Sequence, residues 1–193
     1  GTVMKFNGKD HIMWSINNYL GLAESEEVKQ VAVETAKEWG TSGPMGARMM
    51  SGNTVDHIGL EKQLAEFAQK EAAILFNYGY LGVIGTIASL VSKDDIIVID
   101  KLDHASIVDA AIATGVDRRN IRAFNHNDMD SLEKTLKKVN EVREKGVIVL
   151  TEGVYGMTGD VAKLKEITWL KDKYEARLFV DDAHGVGVMG ETG

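Results

Sequence analysis

The chain has 193 residues, 44% of them hydrophobic and 26% charged, which suits a soluble globular protein with a sizeable core and makes one domain the natural prior. Its net charge of −7 is spread along the sequence with no block of lysine or arginine, so the electrostatic footprint of a nucleic-acid-binding protein is missing. There are no cysteines, which excludes disulfides, thiolate metal sites and a cysteine nucleophile and agrees with a cytoplasmic location; no apolar run reaches membrane-spanning length, and Gly1-Thr2-Val3-Met4 does not open a basic-then-apolar signal pattern.

Two helices are expected first. One spans about 26–39, with Val28, Val31, Thr35, Ala36 and Trp39 on one stripe and Gly40 as its stop; the other spans about 55–70 and carries Leu60, Leu64 and Phe67. Between them, Gly40 to Gly52 holds four glycines and the chain's only proline, Pro44, and reads as a long irregular loop of the kind that tends to be functional. From residue 71 onward, short β-rich runs alternate with helical patterns, the signature of parallel strands joined by helical crossovers, and the class is α/β. The expected strands are Ala72 to Phe76, Ile96 to Asp100, Ile121 to Phe124, Val147 to Thr151 and Leu178 to Asp181, mostly continuous apolar runs as for strands covered on both faces. Helices are expected at about 83–91, 104–114, 128–144 and 163–174; Asp128 and Asp130 help to start the third of these, in which Leu132, Leu136, Val139 and Val142 share a face.

Ligands of open α/β sheets bind at the carboxyl ends of the strands, and the residues following the expected strands are polar. They include Asn77 to Gly82, Lys101 to His104, Asn125 to Asp128, Glu152-Gly153 and Asp181 to Gly185. Gly79, Gly82 and Gly85 at a strand-to-helix junction fit either an anion site on free helix N–H groups or a tight turn with close packing. Neither a dinucleotide-binding glycine pattern nor a Walker lysine accompanies them. Asp181 ends an apolar strand, where a carboxylate needs a cation or several donors; a protonated pyridine nitrogen would serve, and a cap on the next turn is the alternative. A metal site of His104, His184, Asp181 and Asp182 lacks any spacing that fixes two histidines on one element, and no nucleophile elbow supports a serine hydrolase.

The order of these pieces resembles the α-oxoamine synthases, fold-type I pyridoxal-phosphate (PLP) enzymes that include aminoketobutyrate ligase, amino-oxononanoate synthase, aminolevulinate synthase and serine palmitoyltransferase. The matching stretches are Asn17 to Leu22, Gly46-Ala47-Arg48 with Ser51-Gly52 and His57, Leu60-Glu61, Leu64-Ala65, Phe76 to Tyr80, His104 to Ile107, His126-Asn127-Asp128, Thr151 to Val154 and Val180 to Gly185. The resemblance implies a PLP-dependent transferase fold with an N-terminal segment, helix and interface loop over 1–55 and the PLP-binding large domain over 56–193. It implies that Asp181 pairs with the pyridine nitrogen, His184 with the ring oxygen, and that His104 stacks on the ring. Main-chain amides around Gly79, Tyr80 and Leu81 would hold the phosphate; Glu152 falls on an active-site carboxylate and Asn17 on an asparagine near the amino-acid carboxylate.

The implied reaction is a decarboxylating condensation of glycine, alanine or serine with an acyl-CoA, in a homodimer whose interface loop covers Gly43 to Ser51. A lysine-less partner subunit, or an aminotransferase or aldolase-like enzyme of the same fold, are the alternatives. Two departures stand out: Gly156 stands where many members of the family have a serine that helps to hold the ring oxygen, and Met157-Thr158-Gly159-Asp160 replaces the usual Met-Asp-Gly-Asp. No lysine of the chain aligns with the family's Schiff-base lysine, which is expected beyond Gly193 together with the small C-terminal domain.

Overall fold

A computed structural model describes residues 2–41, 43 and 45–193; Gly1, Ser42 and Pro44 lie outside the described residues. The chain forms two compact units, Gly1–Leu75 and Phe76–Gly193. No helix among the described residues is long and apolar enough to cross a membrane.

The first unit opens with an antiparallel hairpin, β1 (Val3–Phe6) and β2 (Lys9–Ile12), in register from Val3 opposite Ile12 to Phe6 opposite Lys9. Sequence reading had missed it. Its signal is Asn7-Gly8, which adopts φ of 50° and 75°, as a two-residue turn matched to strand twist requires. Helix α1 (Glu26–Trp39) starts where Ser25 Oγ accepts from Val28 N and stops at Gly40, whose φ of 75° suits glycine. The stretch read as wholly irregular contains a helical turn, α2 (Arg48–Ser51). Helix α3 (Val55–Phe67) begins with a reciprocal cap between Thr54 and His57 and ends short of residue 70.

The strand expected at Ala72 to Phe76 does not form. Leu75 N donates to Glu61 Oε1 (2.8 Å) and Leu75 O accepts from Arg48 Nη1 (2.7 Å), while Arg48 Nη2 pairs with Glu61 (2.7 Å). Side chains thus satisfy backbone groups that a neighbouring strand would otherwise bond.

In the second unit, α4 (Gly79–Leu90), β3 (Ile96–Asp100), α5 (Ala105–Ala113), β4 (Ile121–Phe124), α6 (Met129–Val142), β5 (Val147–Glu152), α7 (Leu164–Lys173) and β6 (Arg177–Asp181) alternate. The four strands pair in parallel in the order β4-β3-β5-β6. Alternate residues of β3 and β5 enter opposite cores. Val98 and Val149 pack with Leu132, Leu136 and Ile167 of α6 and α7, whereas Ile97, Ile148 and Leu150 pack with Ile87 and Ile107 of α4 and α5. Both faces are covered, which is why these strands are continuously apolar. Helix α4 starts at Gly79 rather than near 83 because its glycines lie inside it: a methyl on Gly82 would meet Phe76 at 3.2 Å. Asp128 caps α6 by accepting from Ser131 N (3.0 Å).

Leu150 is fully buried in the α4–α5 core. Leu150→Ala is expected to destabilise the chain by about 2–5 kcal/mol, read as a lower urea midpoint, because the sheet on one side and the helices on the other limit collapse of the cavity; a change below about 1 kcal/mol would contradict this packing.

Candidate active site

A cavity of about 170 Å³ opens at the carboxyl ends of the strands, lined by Gly79, Tyr80, Val83, His104, Ser106, Glu152, Asp181, Ala183 and His184. Six of the eight residues expected from the sequence meet here: Gly79, Tyr80, His104, Glu152, Asp181 and His184. Leu81 follows in α4 but is exposed and does not line the cavity. Asn17 belongs to the first unit, where its Oδ1 accepts from the Tyr19 hydroxyl (3.3 Å).

The start of α4 contributes charge without a charged residue. Its N-cap, Tyr78, makes no side-chain bond, so the N–H groups of Gly79, Tyr80 and Leu81 keep the partial positive charge of an uncapped helix start. The Tyr80 hydroxyl donates to Asp109 Oδ2 of α5 (2.5 Å), fixing this turn against the next helix.

His104 is the N-cap of α5. Ser106 N, which can only donate, reaches His104 Nδ1 at 3.1 Å, and Ser106 Oγ lies 2.7 Å from the same nitrogen. Nδ1 is therefore an acceptor, and the proton of the neutral ring sits on Nε2. Ser106, buried beside the cavity, was quoted within a matching stretch of the sequence but given no role there; its signal is its place two residues after a histidine at a helix start.

Glu152 and Asp181 are register partners at the ends of β5 and β6. Glu152 is only 5% exposed and its Oε2 accepts from Gly156 N (3.4 Å); Asp181 Oδ1 accepts from Ala183 N (3.2 Å). Glycines give the neighbouring side chains their room. A Cβ on Gly156 would collide with the His184 ring, and one on Gly153 or Gly185 with the Asp182 carboxylate. Burial, and then the charge of Asp181, raise the Asp182 pKa. Gly156 thus lets the His184 ring come close to the backbone, and a side chain there would make the ring shift.

Asp103 stood in the polar stretch Lys101 to His104 but was given no role there. It is 8% exposed; its Oδ2 accepts from Asp100 N (2.9 Å), and its Oδ1 has no hydrogen-bond partner among the described residues. Burial, followed by the charge of Asp100, pushes its pKa up to about 8 against the pull of the Asp100 backbone bond, with Glu152 and Asp181 adding to the rise.

Among the described residues no three histidine or carboxylate side chains are grouped to hold a metal ion. A roomier hollow of about 500 Å³ lies within the first unit, but its lining of Ala32, Ala36, Trp39, Leu60 and Leu75 is chiefly apolar and its His57 is engaged in the α3 cap.

The family described as aminotransferase class I and II matches residues 9–193. The cysteate-C-fatty acyltransferase of Capnocytophaga ochracea is 50% identical over 196 residues, covering 100% of this chain and 46% of that protein. The 8-amino-7-oxononanoate synthase of Thermoanaerobacter pseudethanolicus is 42% identical over 187 residues, covering 97% of this chain and 46% of that protein. Among solved structures, a serine palmitoyltransferase variant from S. paucimobilis with bound PLP–myriocin aldimine superposes with a TM-score of 0.85 at 33% identity, covering 93% of this chain and 45% of that one. The chain spans about half the length of the relatives it matches.

Two measurements check the site's local geometry. Because His104 caps α5, His104→Ala should cost about 1 kcal/mol in urea denaturation, whereas His104→Asn, which can cap, should stay within about 0.5 kcal/mol; equal losses would remove the imidazole from the cap. Asp103 holds its proton up to about 8 in the folded chain against an ordinary value of 3.8. The folded state then binds more protons across that window, so stability is full below it and falls as pH rises through it. Asp103→Asn should flatten this slope and gain on the unsubstituted chain as pH rises; parallel pH profiles for the two would refute the assignment.

Proposed function

The chain belongs to the aminotransferase class I and II family, in its α-oxoamine synthase branch and with the PLP-dependent transferase fold of type I, and from that premise we propose that it forms the cofactor-binding half of a PLP-dependent acyltransferase. The reaction is the condensation of an amino acid with an acyl-CoA, with loss of carbon dioxide, to give an α-aminoketone. The observation that carries this reading is the convergence of a strand-end carboxylate, two imidazoles and an uncapped helix start on one cavity.

The residues present fit pyridoxal phosphate. The helix-start N–H groups of Gly79, Tyr80 and Leu81 would take the phosphate, a dianion suited to a partial positive charge. Asp181 would hold the proton of the pyridine nitrogen, and His184, seated against Gly156, would reach the ring oxygen. When bound, the cofactor supplies an electron-withdrawing ring that stabilises negative charge on the α-carbon of an amino acid. His104 would serve as a flat platform for the ring, its orientation held by the Ser106 N–H at Nδ1. Glu152, nearly buried, supplies an active-site carboxylate beside Asp181. Asn17 would lie near the substrate carboxylate, and glycine, alanine or serine is the amino acid. A homodimer forms through the loop at 43–51, in which Pro44 is outside the described residues.

Titration of the chain with pyridoxal phosphate should give saturable quenching of tryptophan fluorescence. Asp181→Asn should weaken binding by about tenfold or more, since a hydrogen bond to a charged group contributes about 1.5–3 kcal/mol. A protein containing this chain and a Schiff-base lysine should release CoA and carbon dioxide from an acyl-CoA and one of glycine, alanine, serine or cysteate, the last tested because a 50% identical relative is named for it. Amino-group transfer to a keto acid without acyl-CoA, and no CoA release, would overturn the acyltransferase reading.

A further inference from the structure

A second polar network, none of whose members lines the cavity, joins Asp100, His126, Asn127 and Asp160. The Asp100 side chain, at the end of β3, has no solvent exposure. Its Oδ1 accepts from Leu102 N (2.8 Å) and lies 3.0 Å from His126 Nδ1, while its Oδ2 accepts from Asn127 N (2.8 Å). On the far side of the ring, His126 Nε2 lies 3.2 Å from Asp160 Oδ2. The ring stands edge-on to buried Tyr155, with centroids 4.4 Å apart and planes at 88°. A carboxylate at each nitrogen favours the ring that donates from both, the imidazolium.

Asn127 adds a second tie. It sits at φ 50°, a left-handed conformation that asparagine tolerates better than most residues, and its amide is used at both ends. Nδ2 donates to Val161 O (3.0 Å) and Oδ1 accepts from Lys163 N (3.1 Å). The segment so held, 153–163, is closed on itself by the Val154–Val161 bridge and by Ala162 N donating to Gly153 O (3.0 Å). It carries Gly156 against His184 and Gly153 against Asp182. At the other end of the network, Asp100 leads within four residues to His104.

We propose that His126, with Asn127, is a positioning residue that sets the spacing of His104 and His184 by tying the end of β3 to the 153–163 segment through Asp100 and Asp160. The proposal rests on the cavity's being the cofactor site. A displacement of the segment moves the seat of His184 at Gly156; a displacement of Asp100 moves the turn that delivers His104. None of the four tying residues lines the cavity.

The charged groups facing the ring are Asp100 from β3 and Asp160 from the segment; Tyr155 meets it with its ring, while its hydroxyl bonds Thr151 Oγ1 (2.6 Å). Burial opposes a charge on His126, but hydrogen bonds and charges of Asp100 and Asp160 outweigh it and raise the pKa. The tie is therefore intact below the ordinary histidine value and weakens as pH rises through the raised one.

The test follows the imidazole resonances of the full 193-residue chain, without cofactor, through a pH titration. The His104 and His184 resonances should each show an inflection at the His126 midpoint. Asp160→Asn, at an exposed position and so compatible with folding, should lower that midpoint and carry both inflections down with it. His126→Asn, where it folds, should abolish them. The proposal is overturned if the His126 midpoint stays put in Asp160→Asn, or if it moves while His104 and His184 do not follow. Pyridoxal phosphate titration of the same proteins judges the other premise: coupled imidazoles in a chain that binds no cofactor would sink the cofactor reading and leave the positioning network standing.

Discussion

The cavity is organised around a carboxyl group that water never reaches. Asp100 closes β3, a strand held between β4 and β5, so its position is set by two backbone ladders before its side chain makes any contact. An isolated carboxylate there would be costly, and the chain meets the cost with two backbone N–H groups and an imidazole. Each of those donors starts a structure of its own. Leu102 belongs to the turn that ends in His104; His126 and Asn127 open the connection to α6 and hold the segment that faces His184. One desolvated group thereby determines two distant arms.

Around this hub the second unit concentrates negative charge at one end of its sheet. Glu152, Asp181 and Asp182 share the strand ends with Asp103, which stays protonated up to about 8 and so adds no charge below that; burial first, and then the neighbouring carboxylates, raise the pKa values of Asp103 and Asp182. Such a field favours a ligand with a protonated nitrogen and disfavours a bare anion. At the start of α4, which has no side-chain cap, the helix dipole supplies the opposite sign. A molecule carrying a cationic ring at one end and a phosphate at the other matches both halves of this pattern, which is a stronger argument than any single residue affords.

The sheet was legible because strands covered on both faces are continuously apolar, and four of the five expected runs became β3 to β6. The fifth, at 72–76, was apolar enough to mislead: Arg48 and Glu61 take the Leu75 backbone, and no periodicity reports a side chain that replaces a strand. The hairpin at residues 3–12 carried a signal in Asn7-Gly8, but its strands are only four residues each and fully exposed, so no buried face marked them. Cavity residues such as His104, Glu152 and Asp181 were legible from their places just after strands. Asp103 and the Asp100–His126–Asp160 network were not, since their partners are joined only by the fold, 26 and 34 residues apart for His126.

The two cavity imidazoles show the same division in miniature. His104 is anchored locally, by the N–H of a residue two positions on, so the helix that it starts also orients it. His184 has its seat against Gly156, 28 positions earlier, on a segment that depends in turn on Asn127 and Asp160. Local anchoring survives small shifts between elements; remote anchoring transmits them. Substitutions in the 153–163 segment therefore act on His184 before they act on His104, and Gly156 marks where that influence enters the cavity. At position 156 a glycine leaves the His184 ring to meet backbone alone, so the path of the 153–163 segment decides how closely the ring is approached.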